Sequence, residues 1–398
     1  MKKKVLILTA DAGFGHRSAA NAIASALSKE TKFEIETRIE NLLDSPKTPA
    51  PLRNTQTGYD KIVTESPKFY EFSYESSDKR LPTNVAKIGL SAMLYGPFSK
   101  TMKEFNPDVL VNTYPLYQGP AQTWYLLNED AKKAISKSKK TDDDSKSSSR
   151  HKHIPMITII TDLVSVHLIW MSTLPDIYCV ATQEMKEQIA GFGVDRERIL
   201  CTGIPVNPVF AEEKRSKKEL REQLGWNPEK TTIIAIGSKR VSNMMDYLDL
   251  INHSGFNIQL IMVAGGDETL YQEMQNTTWH VPATIYNFTK ELPVMMLASD
   301  IVVTKAGGLI TSESLAASLP MILIDVLPGQ EEGNALYIQE NNAGVHAKKP
   351  IDILHTLTHW FENDGYELRK FTENARKIGK PRSSLDIADL IVEKLSES

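Results

Sequence analysis

Short apolar runs alternate with helix-length amphipathic segments along almost the whole chain. Val5 to Thr9, Asp108 to Asn112, Pro155 to Thr161, Asp176 to Val180 and Ile199 to Thr202 form a first series of apolar runs, and Phe33 to Ile39 reads as a further strand after the first of them. Four- to eight-residue runs of this kind, rich in Val and Ile and bounded by turn residues, predict strands buried on both faces. Between them the pattern predicts helices: one starting at His16 with Ile23 and Leu27 four apart, one through Gly58 to Phe105, one over Leu116 to Ile135, and one from Thr182 that Gly191 and Gly193 end. Gly203-Ile204-Pro205-Val206-Asn207-Pro208 then interrupts the alternation and marks a linker. A second series follows, with strands expected at Thr232 to Ile236, Ile258 to Val263, Thr284 to Tyr286, Ile301 to Val303 and Met321 to Ile324. Its helices are expected at Lys217 to Leu224, Leu309 to Leu319, Asp352 to Phe361, Glu367 to Ile378 and Leu385 to Leu395. Two separate β/α series predict two doubly wound α/β domains, residues 1–205 and 206–380, with ligands entering a cleft at the strand ends and 381–398 as a last helix.

The richest chemistry lies in residues 300–334. A strand runs into Ala306-Gly307-Gly308, a helix begins at Leu309, and a second strand ends in Pro328-Gly329-Gln330-Glu331-Glu332-Gly333-Asn334. Glycine lets backbone approach a ligand closely. A helix start then offers free N–H groups and the positive end of its dipole, which suits a diphosphate. Glu313, one turn in, is a candidate acceptor for ribose hydroxyls, with Thr311 beside it. Gln330, Glu331 and Asn334 are candidates for the hydroxyls of a sugar, at the edge where open α/β sheets bind ligands. The alternative is an ordinary strand–helix turn followed by a solvated loop.

The first domain carries a second candidate centre. Gly13-Phe14-Gly15-His16 opens the first helix, but Ser18 stands where a dinucleotide fingerprint has its third glycine. His16 at a helix N-terminus is favoured in its neutral form, which suits a general base. It equally suits a histidine bonded to a backbone carbonyl or a phosphate. Thr161-Asp162-Leu163 ends the fourth strand, and His167 and Trp170 follow. Asp162 is a candidate base, or a carboxylate orienting His16 or His167; the alternative is a cap. In the second domain Gly237-Ser238-Lys239-Arg240 offers an N–H, a hydroxyl and cations to phosphates.

Composition narrows the classes. With 41% hydrophobic residues the chain has ample material for a core, and a net charge of −4 removes any global basic field for nucleic acid. Cys179 and Cys201 lie apart in apolar contexts, as buried thiols do in a reducing compartment. Met1-Lys2-Lys3-Lys4 mimics a signal peptide's start, but the apolar run after it is short and Asp11 follows. No apolar run reaches a membrane span, so a cytoplasmic protein is expected. Residues 58–105 interleave aromatics (Tyr95, Phe98 and Phe105 among them) with lysines and arginines. This is either an interfacial element on anionic lipid, most exposed over Ile88 to Phe98, or an amphipathic pair with its aromatics in the core. Ser136 to His153 has no apolar residue before Ile154 and is expected to be a disordered surface loop.

Lys305-Ala306-Gly307-Gly308, Ser312-Glu313-Ser314-Leu315-Ala316, Leu319-Pro320 and Pro328-Gly329-Gln330-Glu331-Glu332-Gly333-Asn334 together resemble the nucleotide-sugar site of the lipid glycosyltransferases. These include monogalactosyldiacylglycerol synthase and the processive diacylglycerol glucosyltransferases; the lipid I N-acetylglucosaminyltransferase is more distant. The resemblance implies a GT-B fold of two Rossmann-like domains, with the last helix crossing back to the first. It implies transfer of a hexose from UDP-glucose or UDP-galactose to diacylglycerol or a related lipid, with inversion. It also implies no metal, no cofactor, and a peripheral place on the cytoplasmic membrane face. Gly13, Gly15, His16, Asp162 and His167 would lie on the acceptor side. Gly237, Ser238, Gly307, Gly308, Leu309, Thr311 and Glu313 would serve the donor, with Phe288 and Thr289 at the uracil edge. Two departures stand out: Ile310 replaces the Thr usual three residues before the helix Glu, and Leu168 replaces a frequent Pro. Rival readings are a lipid I-type transferase, a UDP-sugar 2-epimerase and a non-catalytic UDP-sugar-binding protein.

Overall fold

The computed structural model describes residues 2–11, 14–53, 80–138, 153–241, 243–327 and 331–397. These fall into two compact units, one running to Pro205 and resuming at Leu385, the other spanning Val206–Ser384.

Six parallel strands make the sheet of the first unit: β1 (Lys2–Leu8), β2 (Glu34–Glu40), β3 (Val109–Asn112), β4 (Met156–Ile159), β5 (Ile177–Val180) and β6 (Ile199–Cys201). Their order is β2-β1-β3-β4-β5-β6, and Leu8 pairs with Glu40 on one side and Asn112 on the other. Successive side chains point to opposite faces. Val5, Ile7, Val109 and Val111 enter a core with Ile23 and Leu27 of the helix Phe14–Leu27 and Ile387, Ile391 and Leu395 of the final helix Ser383–Glu397. Leu6, Leu8 and Leu110 face a second core with Leu94, Phe98 and Met102 of the helix Arg80–Phe105, and with Tyr117, Ala121 and Tyr125. Both faces are covered, which is why the central strands β3, β4 and β5 are buried throughout and read as apolar runs, while the edge strand β2 is only partly buried.

One alternative is settled here and two expectations are corrected. Phe98 and Phe105, which the sequence left open between lipid and core, are buried. With Leu94 and Met102 they repeat at helical spacing and fill the core, so the amphipathic reading holds for them. Residues 54–79 and their aromatics lie outside the described residues. The polar segment from Ser136 also lies mostly outside them, but residues 136–138 end the helix Gln118–Ser138 instead of opening a loop. The Pro, Thr and Asn content of residues 45–57 leads one to expect a loop, but Ala50–Arg53 forms one helical turn.

The second unit repeats the architecture with β7 (Thr231–Ile236), β8 (Ile258–Val263), β9 (Ala283–Tyr286), β10 (Ile301–Thr304), β11 (Met321–Leu323) and β12 (Gly344–His346). All are parallel, in the order β12-β11-β10-β7-β8-β9. Ile234, Ile236 and Val302 face one core; Ile233, Ala235 and Val303 face the other. The edge strand β12 escaped the sequence reading because it is three residues long and begins at a glycine. That glycine is required, since a Cβ on Gly344 would lie 2.4 Å from the Met321 carbonyl oxygen. The helices expected before and after residue 364 form one long element, Pro350–Ile378, broken where Asn363, Asp364 and Gly365 take φ of 52°, 54° and 74°.

Ile391 is fully buried while Met93 is 49% exposed. Ile391→Ala is therefore expected to cost about 2–5 kcal/mol in urea unfolding, and Met93→Ala to stay within about 0.5 kcal/mol. Equal, small effects would mean that the final helix does not complete this core.

Candidate active site

In the first unit the strand order reverses between β1 and β3, and His16 stands at that point. It is the third residue of the helix that follows β1. Its Nδ1 lies 2.8 Å from the carbonyl oxygen of Thr113, just beyond β3, and 2.8 Å from Thr161 Oγ1, beyond β4. A carbonyl oxygen only accepts, so Nδ1 carries the proton and Nε2 keeps the free lone pair. Thr113 is itself anchored: its N–H and its hydroxyl both donate to Leu8 O, at 2.9 and 3.1 Å. The imidazole meets Tyr114 edge-on at 4.9 Å and Trp170 at 6.3 Å between ring centroids. Burial pulls its pKa down to about 4, against a smaller upward pull from the Thr113 carbonyl. The ring is neutral at neutral pH.

Asp162 follows Thr161, and its Oδ2 accepts the indole N–H of Trp170 at 2.9 Å. Burial pushes its pKa up to about 6, with the indole bond acting the other way. The expectation that Asp162 orients His16 or His167 is not met; Trp170 is its partner, and the Thr113 carbonyl orients His16. His167 is buried and caps the turn Leu168–Trp170, accepting Ile169 N–H at 3.1 Å. Gly15 belongs to the helix start, and Gly13 lies outside the described residues. Sequence reasoning missed Thr113, Tyr114 and Thr161. Thr113 is 97 positions from His16, and only the pairing of β1 with β3 brings them together.

A polar strap holds this loop. Arg17 donates twice to Asp11, at 2.7 and 2.8 Å, and Asn41 Nδ2 donates to the same carboxylate at 3.1 Å. The buried Tyr117 hydroxyl lies 3.0 Å from Asn41 Oδ1 and 3.1 Å from Thr9 O. The guanidinium beside Asp11 holds its carboxyl below the usual range.

In the second unit the order reverses between β7 and β10. Gly237 and Ser238 follow β7, and Gly307 and Gly308 follow β10. A Cβ on Gly237 would lie 2.5 Å from Leu270 Cδ2, so any larger residue there would have to displace the end of the Leu270 side chain. Gly307 is the cap of the helix Gly308–Ala316, with no side-chain cap bond, so the first-turn N–H groups stay free for a ligand. Leu309 is in that first turn. Glu313 has no side-chain partner among the described residues, and burial pushes its pKa up to about 7. Thr311, by contrast, is fully buried, and its hydroxyl has no partner among the described residues. Phe288, after β9, is 67% exposed, and Thr289 Oγ1 accepts Glu291 N–H at 3.0 Å. Glu331 and Asn334, expected to face a sugar, are buried and bonded to Lys305 and to Ala306 O. Gln330 lies outside the described residues.

Comparison with known proteins follows this division. The family model for monogalactosyldiacylglycerol (MGDG) synthase matches residues 16–138 and 144–206, and that for glycosyl transferases group 1 matches residues 216–378. A probable monogalactosyldiacylglycerol synthase 2, chloroplastic, of Oryza sativa subsp. indica is 27% identical over 97% of this chain and 79% of its own length. Among solved structures, Acinetobacter baumannii MurG superposes with a TM-score of 0.57 at 13% identity, covering 98% of this chain and 99% of that one. The UDP-GlcNAc 2-epimerase of Neisseria meningitidis gives 0.59 at 12%, covering all of both chains. These two likenesses show the fold, GT-B.

The histidine geometry sets a titration. With ¹⁵N-labelled histidine, His16 is expected to show the Nδ1–H tautomer and no protonation between about pH 5 and 8. Its folded pKa, about 4, lies below the ordinary 6.5. The unfolded chain therefore takes the proton first, and this residue lowers stability as pH falls from about 6.5 toward 4. His16→Asn should remove that slope; an unchanged slope would show that the imidazole is not buried as described.

Proposed function

Taking as premise that the chain is a glycosyltransferase homologous to the monogalactosyldiacylglycerol synthases, we propose that it moves a hexose from a UDP-sugar to the free hydroxyl of diacylglycerol. The observation that carries the reading is His16: a neutral imidazole at a strand-order reversal, its tautomer set by Thr113 O and its Nε2 lone pair available. Nε2 takes the proton of the acceptor hydroxyl as the oxygen attacks the sugar's anomeric carbon. Asp162 is linked to the same ring through Trp170 and, once ionised, favours the imidazolium that forms. Attack is direct and opposite the leaving UDP, so the configuration inverts.

The second unit holds the donor. Free N–H groups of Gly308 and Leu309 at the helix start meet the diphosphate and stabilise it as it leaves. Glu313 accepts ribose hydroxyls, Gly237 and Ser238 line the phosphate loop, and Phe288 with Thr289 meets the uracil. No metal takes part in this scheme, so transfer proceeds in a chelator.

The lipid acceptor calls for a membrane surface. None of the described helices is long and apolar enough to cross a membrane. Met93 is 49% exposed, and Leu126 and Leu127 are each 52% exposed. They stand on two helices joined at Ser91–Thr123, 2.6 Å apart. This apolar face is the proposed point of peripheral contact.

Liposomes containing diacylglycerol, supplied separately with UDP-glucose and UDP-galactose, should yield labelled glycolipid from one donor. His16→Ala should cut turnover by about a hundredfold or more with UDP affinity kept. UDP binding without glycolipid from either donor would overturn the acceptor assignment and favour lipid I. Free UDP-GlcNAc converted without an acceptor would favour the epimerase.

The acid limb of kcat should fall near pH 6, because the ionised form of Asp162 is the active one and is lost as pH falls through its pKa. Asp162→Asn should lower kcat and remove that limb. Met93→Asp with Leu126→Asp should release the protein from vesicles in sedimentation while UDP still binds; retention on vesicles would move the contact elsewhere.

A further inference from the structure

One buried charge in the second unit has no part in the scheme above. Glu331 is 4% exposed. Burying a carboxylate costs it its hydration, which a cation and hydrogen bonds offset. Both are present. Lys305 Nζ forms an ion pair with Oε1, and Leu327 N–H donates to Oε2 at 3.2 Å. The Glu331 N–H donates back to Leu327 O at 3.0 Å. Three residues on, Asn334 Nδ2 donates to Ala306 O at 2.8 Å. Lys305 and Ala306 leave β10, whereas Glu331 and Asn334 follow β11. The two strand-end segments are thus joined twice, once by charge and once by an amide. The join lies against the turn that starts the helix Gly308–Ala316. A Cβ on Gly307 would sit 3.4 Å from Lys305 Cε and 3.6 Å from Glu331 Oε1.

We propose that Lys305 and Glu331 are positioning residues of the donor site. They form a charge-neutral clasp that fixes the turn at Gly307 and cancels a buried carboxylate that would otherwise repel a nucleoside diphosphate. This rests on the reading of the second unit as the UDP-sugar site. The physical reason for a pair is the dielectric: a lone anion close to a bound diphosphate, with little water between them, is strongly repulsive. Glu331 ties Leu327 on one side and Lys305 on the other, so an apolar residue there would leave two ends of the turn loose. Lys305 removes the charge that this tie introduces.

Two other roles make different predictions. If Lys305 were a phosphate ligand, its loss would weaken UDP binding whatever stood at 331. If Glu331 were a hexose ligand, its amide variant would weaken UDP-hexose and leave UDP untouched.

The test is a cycle of full-length variants, Lys305→Met, Glu331→Gln, the double variant and Lys305→Arg, titrated with UDP by calorimetry. Lys305→Met, which leaves the carboxylate unpaired, should weaken UDP by about tenfold or more. Adding Glu331→Gln should recover most of that loss, and Lys305→Arg should bind nearly as the parent. In turnover, Lys305→Met should raise the KM for the UDP-sugar and leave that for diacylglycerol unchanged. A double variant as weak as Lys305→Met overturns the proposal and makes Lys305 a phosphate ligand. Unchanged UDP affinity in Glu331→Gln, with weakened UDP-hexose, overturns it in favour of a sugar contact. If Lys305→Met does not fold, the uncharged double variant decides: near-parental affinity supports the clasp, and a tenfold loss overturns it. Failure of the unaltered protein to bind UDP removes the donor-site reading itself and the clasp with it.

Discussion

Every strand in both sheets runs parallel, and that constraint decides where chemistry can happen. A parallel strand needs a crossover to reach its neighbour, and the crossovers cover both faces with helices. Loops and unpaired backbone groups collect at the carboxyl edge. Where the strand order reverses, the chain leaves two adjacent strands in opposite directions and opens a crevice. The first sheet reverses between β1 and β3, the second between β7 and β10. His16 and Thr113 O meet at the first reversal; Gly237 and Gly307 follow the two strands that flank the second. Each centre is assembled from segments far apart in the chain because the sheet makes them neighbours.

The groups at these edges share an electrostatic character. Burial is the leading cause in all three cases: it holds His16 down near 4, lifts Asp162 to about 6 and lifts Glu313 to about 7. Each shift favours the uncharged form, because a charge at a desolvated edge has too little water around it. Asp11 behaves oppositely. It is partly exposed and faces Arg17, and the guanidinium keeps it ionised. His16, the proposed base, is therefore framed by the Asp11–Arg17 ion pair on one side and by groups that burial pushes toward their uncharged forms on the other. An imidazolium is costly there until a negative charge appears. Asp162, reached through Trp170, is the group within the same unit placed to supply one.

How far the sequence reveals this depends on the distance over which each signal acts. Strands buried on both faces write themselves as runs of Val, Ile and Leu; the edge strand Glu34–Glu40 alternates apolar and polar residues and is only partly buried, and with it eleven of the twelve were read. The twelfth, Gly344–His346, is too short for a periodicity and depends on one glycine that the Met321 carbonyl requires. The glycine turns and His16 were legible because their chemistry is local. What was not legible is pairing across the sheet: nothing in the chain ties Thr113 to His16, or Lys305 to Glu331. A buried Glu and a solvated Glu look alike in a polar loop, and so Glu331 and Asn334 read as sugar contacts. The aromatic residues of 80–105 were open to two readings, lipid and core. Phe98 and Phe105 keep helical spacing with Leu94 and Met102, and the spacing spoke for a core more strongly than the composition spoke for lipid.

The helix Gly308–Ala316 carries the argument one step further. Ile310 has no hydroxyl to offer. Thr311 is fully buried, and the hydroxyls of Ser312 and Ser314 donate back to Gly308 O and Ile310 O at 2.8 and 2.7 Å. Every hydroxyl of this helix is therefore turned inward or back onto the backbone, and Lys305, three residues before Gly308 in the chain, is engaged with Glu331. What remains at the helix start is main chain: N–H groups with no side-chain cap, aligned with the helix dipole. Main-chain donors recognise an anion by shape and charge, and they distinguish neither one sugar from another nor one base from another. On the proposed reading the diphosphate is the common anchor. Selection among donors then falls to the side chains around it, Glu313 and the exposed Phe288, and to the turn at Gly307 that the proposed Lys305–Glu331 clasp fixes.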